Sequence, residues 1–182
     1  AAQQVDADAD ILDINVGVPE LDQTTAMQSA LTTVQEVVSV PVSVDTTDPK
    51  VLEAGLQTFV GKPLINSVTG EQESINTVLP LARKYGAAVL GLTLDEDGIP
   101  ETAEGRLQIA EKIVQQAEEY GLKRQDVLID TLALAASAQQ ETVQETIRAI
   151  KLIKDKLGVA TVLGISNISY GLPVREQVNT AY

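Results

Sequence analysis

The side chains able to do chemistry in this sequence recur in one setting, the end of a short apolar run. Asn15, Asp45, Asn66, Asp95, Asp130 and Asn167 each follow such a run. Asp45, in Val42-Ser43-Val44-Asp45-Thr46-Thr47, is a carboxylate at a strand end. Asp48, just before Pro49, fills the helix-capping role there, which leaves Asp45 for other work. Asn66, in Leu64-Ile65-Asn66-Ser67, offers a carboxamide that could serve a ligand or the loop backbone equally well. Asp130 closes Val127-Leu128-Ile129-Asp130 with no basic neighbour in sequence, and a buried carboxylate so placed needs a partner or a ligand. Asn167 lies in the glycine-flanked turn Gly164-Ile165-Ser166-Asn167-Ile168-Ser169-Tyr170-Gly171, which also reads as a plain connection with Ser169 as a helix cap. Asp13 and Asn15 interrupt the apolar Leu12-Asp13-Ile14-Asn15-Val16 with inward-facing polar groups, suited to a ligand or to a hydrogen-bonded pair inside a barrel. Asp95-Glu96-Asp97-Gly98 reads as a solvated turn and is weak as a hard-cation site.

Together these positions supply carboxylates, carboxamides and hydroxyls, with few bases. Such a set suits a neutral, flat ligand with an amidine-like edge, because one carboxylate accepts two parallel N–H bonds. A phosphate would call for Arg, Lys or a glycine nest.

Composition removes several other chemistries. The 182 residues contain no cysteine and no histidine, which excludes thiolate nucleophiles, zinc-thiolate sites and imidazole bases on this chain. A net charge of -13 and the absence of Trp speak against nucleic-acid binding. Hydrophobic residues at 44% and charged residues at 21% describe a folded domain. No apolar run approaches the ~20 residues of a membrane span, and nothing resembles a signal peptide, so a cytoplasmic location is expected.

The elements that must position these residues follow from patterning. The runs 11–16, 40–44, 63–65, 87–94, 127–129 and 160–165 are short, aliphatic and not alternating, as in strands of a parallel sheet buried on both faces. Val143, Ile147, Ile150, Ile153 and Leu157, spaced 4, 3, 3 and 4 apart, predict one helix face. Thr69 and Gln72 predict a capping box. Gly86, Gly121 and Gly158 predict helix ends. Six strand–helix steps of about 30 residues give a parallel α/β fold. Polar residues at nearly every strand end favour a (β/α)₈ TIM-type barrel over a doubly wound sheet, and no nucleotide-binding glycine motif is present. A closed barrel needs eight units, so residues 1–182 read as a single barrel domain of six units, a fragment with its first and last units missing.

Leu12 to Gly17, Val44-Asp45-Thr46-Thr47, Ile65-Asn66-Ser67, Gly91 to Pro100, Ile129-Asp130 and Gly164 to Pro173, in that order, resemble the pterin-binding barrel of folate-dependent methyltransferases. That group includes methyltetrahydrofolate:corrinoid protein methyltransferases and the folate domain of cobalamin-dependent methionine synthase. The resemblance implies binding of 5-methyltetrahydrofolate and transfer of its N5-methyl group to the cob(I)alamin of a corrinoid protein or domain, with a homodimer as one expected assembly. It also implies site roles. Asp130 would hold the N3–H and 2-amino edge, while Asp45 and Asn66 would face the other side of the pyrimidine and N8. Asn167 would lie near N5 as the catalytic donor, and Asp13, Asn15 and Ser166 would complete the pterin site. As a fragment, the chain is expected to bind folate weakly or not at all. Two alternatives stand beside this. One is a condensing enzyme like dihydropteroate synthase, which carries a Lys in the late loop where this chain has Ser166-Asn167-Ile168-Ser169. The other is a pterin-binding module without catalysis.

Overall fold

The computed structural model describes residues 1–18, 22–137 and 142–182. Strands and helices alternate: α1 (Ala2–Asp6), β1 (Leu12–Asn15), α2 (Gln23–Val37), β2 (Val42–Asp45), α3 (Pro49–Thr58), β3 (Leu64–Thr69), α4 (Gln72–Tyr85), β4 (Ala88–Leu92), α5 (Ala103–Glu119), β5 (Val127–Asp130), α6 (Thr142–Leu157), β6 (Ala160–Val162) and α7 (Arg175–Ala181). The six strands form one parallel sheet in the order β1-β2-β3-β4-β5-β6. Sequential parallel order with a helix at each crossover is the topology of a (β/α) barrel. None of the helices among the described residues is long and apolar enough to cross a membrane.

Strand alternation divides the sheet between two environments. Val42, Val44, Ile65, Val89 and Ile129 point into one core with Leu31, Leu52, Leu79, Ile113 and Ile153 from the helices. The other face carries Asp13, Asn15, Asp45, Asn66, Leu90, Leu92 and Asp130, as the strand registers require. Close helix–sheet approach depends on Gly91, where an added Cβ would meet Ile129 Cδ1 at 2.9 Å and Ile113 Cγ2 at 3.0 Å. Gly91→Ala should therefore cost about 1–3 kcal/mol by overpacking. Denaturant unfolding measures this, and a midpoint at the parent value would show that the layer has slack.

Helix ends match the sequence in most places. Asp48 caps α3 through the Lys50 and Val51 amides, with Pro49 at its first position. Gly86, Gly121 and Gly158 all take positive φ just past α4, α5 and α6. The capping box at Thr69 does not form. Glu71 is the N-cap of α4, and Thr69 Oγ1 accepts from the Glu71 amide within the turn. The Gln72 amide is satisfied from another loop, by Glu96 Oε1 at 3.0 Å. That partner lies 24 residues away, out of reach of any local motif.

The buried face of α6 also differs from the apolar spacing. Thr142, Thr146, Ala149 and Ile153 are buried, while Ile147 is 48% exposed. On that face Thr146 Oγ1 accepts a hydrogen bond from buried Arg106 at 2.6 Å. Three expected strand ends shift as well. Asn66 lies inside β3, Asp95 stands three residues beyond β4, and Asn167 lies in a 3-10 turn (Ile165–Asn167) beyond the short β6.

Candidate active site

The C-terminal ends of β1, β2 and β3 bring four polar side chains side by side. The register pairs Asn15 with Asp45 and Asp45 with Asn66. Asn15 Nδ2 donates to Asp45 Oδ2 at 2.9 Å, and Asn66 Nδ2 donates to Asp13 Oδ1 at 3.2 Å. Asn15 is itself oriented, because its Oδ1 accepts the Gly17 amide at 2.8 Å. Asp13 and Asn15 therefore do not pair with each other, one of the two sequence readings. They brace Asn66 and Asp45 instead. Burial pushes the Asp45 carboxyl above its ordinary range, the Asn15 bond opposes this, and the nearby Asp13 carboxyl raises it further.

Asp130 ends β5 on the other side of β4. It is 9% exposed, and its Oδ1 accepts the Leu132 amide at 2.7 Å. Burial raises its pKa, against the Leu132 and Gly164 amides that donate to it and pull the other way. Between Asn66 and Asp130 on the same face lie Leu90 and Leu92, the register partners of the two. Two strand spacings separate β3 from β5, which is roughly 10 Å. The mouth is thus an acceptor-rich pair on one side, a buried carboxylate on the other, and an apolar floor between them.

Asn167 belongs to the next loop. Gly164, whose amide donates to Asp130, lies beneath it: a Cβ there would meet Asn167 Nδ2 at 3.2 Å. The turn is fixed by Arg175, which donates from Nη2 to the Ser166 carbonyl at 2.9 Å and from Nε to Ser169 Oγ at 3.0 Å. Ser166 itself is exposed and enters this arrangement through its carbonyl. Ser169 is buried within the turn, and the N-cap of α7 is Val174.

Asp95 stands apart from these groups. It bridges to Gly98 and lines a groove of about 450 Å³ with Asp97, Ile99, Pro100 and Lys112. Among the described residues, no cluster of three acidic side chains has the geometry to hold a metal ion.

One residue escaped the sequence reading. Arg106 is fully buried in α5, beneath the loop that follows Asp130. Its signal was its place on the apolar stripe, three residues after Ala103 and four before Ala110, both of which are buried. A charged residue at such a position is desolvated rather than surface-exposed.

Comparisons with known proteins bear on the family and the fold. Over 190 residues the chain is 34% identical to methionine synthase of Mycobacterium tuberculosis, covering 98% of itself and 16% of that protein. It is 28% identical over 184 residues to methylcorrinoid:tetrahydrofolate methyltransferase of Eubacterium limosum, covering 67% of it. The chain thus spans a small part of the methionine synthase and about two thirds of the second relative. Among solved structures, dihydropteroate synthase from Xanthomonas albilineans in complex with 7,8-dihydropteroate superposes with a TM-score of 0.75 at 18% identity, over 98% of this chain and 68% of that one. At that identity the likeness establishes the barrel fold. The family model described as pterin binding enzyme matches residues 1–181, and the chain belongs to the pterin-binding enzyme family.

Proposed function

We propose that this domain binds the pterin ring of 5-methyltetrahydrofolate across the mouth and supports transfer of its N5-methyl group to the cob(I)alamin of a corrinoid protein or domain. The observation that carries the reading is the opposed placement of Asp45 with Asn66 on one side and buried Asp130 on the other, over Leu90 and Leu92. A bicyclic ring fits a gap of roughly 10 Å between strands. Asp130 takes the N3–H and 2-amino edge as a two-bond acceptor. Asp45 and Asn66 serve the opposite side, each already braced by Asn15 and Asp13. The names of the methyltransferase relatives support the methyl-transfer chemistry.

The partner's corrinoid supplies the nucleophile that takes the methyl group. As the C–N bond breaks, its electron pair stays on N5, which must gain a proton. Asn167, from the 3-10 turn, donates a hydrogen bond to N5 and stabilises the growing charge, while water brings the proton. Buried Asp130 and its two amide donors keep the ring from rotating.

A pH dependence follows. The pterin edge consists of donors, so binding needs the Asp130 carboxylate. Burial holds its pKa above the ordinary carboxylate range. Affinity should thus rise with pH through that raised value and level off above it. Calorimetry across the acid range, corrected for ligand protonation, reads this limb. The Asp130→Asn variant should lose it, and an unchanged limb in that variant would assign the titration to another group.

A second reading, pteroate condensation, is favoured by the barrel's likeness to dihydropteroate synthase. It is disfavoured by the loop Ser166-Asn167-Ile168-Ser169, which has no lysine. The two separate in one experiment. The methyl-transfer reading expects the whole protein to bind 5-methyltetrahydrofolate and to form no dihydropteroate from dihydropterin diphosphate and 4-aminobenzoate. Product formation in that mixture would favour condensation.

A further inference from the structure

We propose that Arg106 is the positioning residue for Asp130, clamping the turn after β5 so that the carboxylate stays aimed into the mouth. The ligand half of this rests on the pterin reading; the geometric half does not. Arg106 lies on the sheet-facing side of α5, and its side chain has no exposure. Its guanidinium gathers three segments. Nε donates to the Pro100 carbonyl at 2.9 Å, in the β4–α5 loop. Nη1 donates to the Thr131 carbonyl at 3.0 Å, the Leu132 carbonyl at 3.3 Å and Thr146 Oγ1 at 2.6 Å.

Thr131 and Leu132 directly follow Asp130. Leu132 takes φ of 61°, a left-handed conformation that a γ-branched side chain rarely adopts. In that conformation its amide turns back to donate to Asp130 Oδ1 at 2.7 Å, while its carbonyl points to Arg106. One residue therefore joins the guanidinium to the carboxylate, with its amide on one and its carbonyl on the other. A strained conformation persists only where its surroundings overdetermine it, and here Arg106 is joined by the Thr146 hydroxyl, which donates to the same Leu132 carbonyl at 3.4 Å.

The clamp is an expensive one for a core. None of the ion pairs found among the described residues includes Arg106, and its Nη2 has no hydrogen-bond partner among them. Glu145 and Tyr182 act on it only at a distance. A buried charge with hydrogen bonds but no ion partner is a weak device for stability. The same demand explains α6, which turns Thr146 rather than Ile147 toward the sheet: the hydroxyl is needed as an acceptor. Planar fork geometry explains why arginine occupies the position, since a lysine ammonium cannot reach four separated acceptors.

The test uses Arg106→Met and two independent readouts on the whole protein. The first is the Leu132 amide proton by NMR, which should move upfield as its bond to Asp130 lengthens. The second is affinity for 5-methyltetrahydrofolate in a double-mutant cycle with Asp130→Asn. Arg106→Met alone should weaken binding roughly tenfold, within the coupling range of one hydrogen-bond network. In the Asp130→Asn background the same substitution should weaken it no further. Equal weakening in both backgrounds would mean a general loss of structure and overturn the proposal, as would an unmoved Leu132 amide. If Arg106→Met does not fold, Arg106→Lys keeps the buried cation without the planar fork and should move the Leu132 amide in the same direction. If the parent protein binds no pterin, the amide readout still decides the clamp, so the two failures are distinguishable.

Discussion

Asp130→Asn is expected to weaken pterin binding by about 2–4 kcal/mol, roughly 30- to 1,000-fold. The substitution preserves shape and removes both the charge and one acceptor. An NH₂ group then faces the donors of the N3–H and 2-amino edge, and a buried mismatch of donors cannot be relieved by water at a site 9% exposed. The alternative amide orientation does not help, since the Leu132 and Gly164 amides already claim acceptor capacity on this side chain. Asn66→Ala should lose less, about 1 kcal/mol, because it deletes a neutral and half-buried partner. Calorimetry on the whole protein ranks the two. Equal affinity for parent and Asp130→Asn would remove Asp130 from the amidine edge.

The fold was readable because its signals are local. Each strand is a short aliphatic run, and each of α4, α5 and α6 ends before a glycine that takes positive φ. Right-handed crossovers allow a doubly wound sheet or a barrel, and the polar residues at the strand ends pointed to the sequential order of a barrel. The neighbourhood of Asp45 and Asn66 was legible for the same reason, since both stand near the ends of adjacent strands. What the pattern could not show depends on contacts distant in sequence. The α4 amide at Gln72 is met by Glu96, and the α5 amide at Ala103 by Glu145 at 2.7 Å beside the local Thr102 cap, so these two partners are not written near their helices. The face of α6 was misplaced because periodicity counts apolar residues, while Arg106 recruits a threonine. The Asp13–Asn66 and Asn15–Asp45 bonds cross between strands and depend on register, which a strand pattern alone leaves free.

Asn167→Ala should slow methyl transfer by roughly 10²–10³-fold, the effect of removing one preorganised donor. In the proposed role its bond to N5 would strengthen as the C–N bond breaks, so its contribution would be larger in the transition state than in the bound substrate. Affinity should change much less, because Asp45, Asn66 and Asp130 stand on β2, β3 and β5, outside the Asn167 turn. The turn itself should survive the substitution. Arg175 fixes it through the Ser166 carbonyl and Ser169, and the Ala136 amide ties it to the β5–α6 loop through the Ile168 carbonyl at 3.0 Å. A loss of affinity as large as the loss of rate would make Asn167 a binding residue only.

Rapid mixing decides whether this pterin-binding domain serves the proposed methyl transfer to a corrinoid. Cob(I)alamin is mixed with the whole protein and saturating 5-methyltetrahydrofolate, and its absorbance is followed through a single turnover. The account predicts protein-dependent decay of cob(I)alamin with formation of one methylated corrinoid per methyl group lost, slowed by two to three orders of magnitude in Asn167→Ala. Decay no faster than in the protein-free control, with folate demonstrably bound, would contradict it.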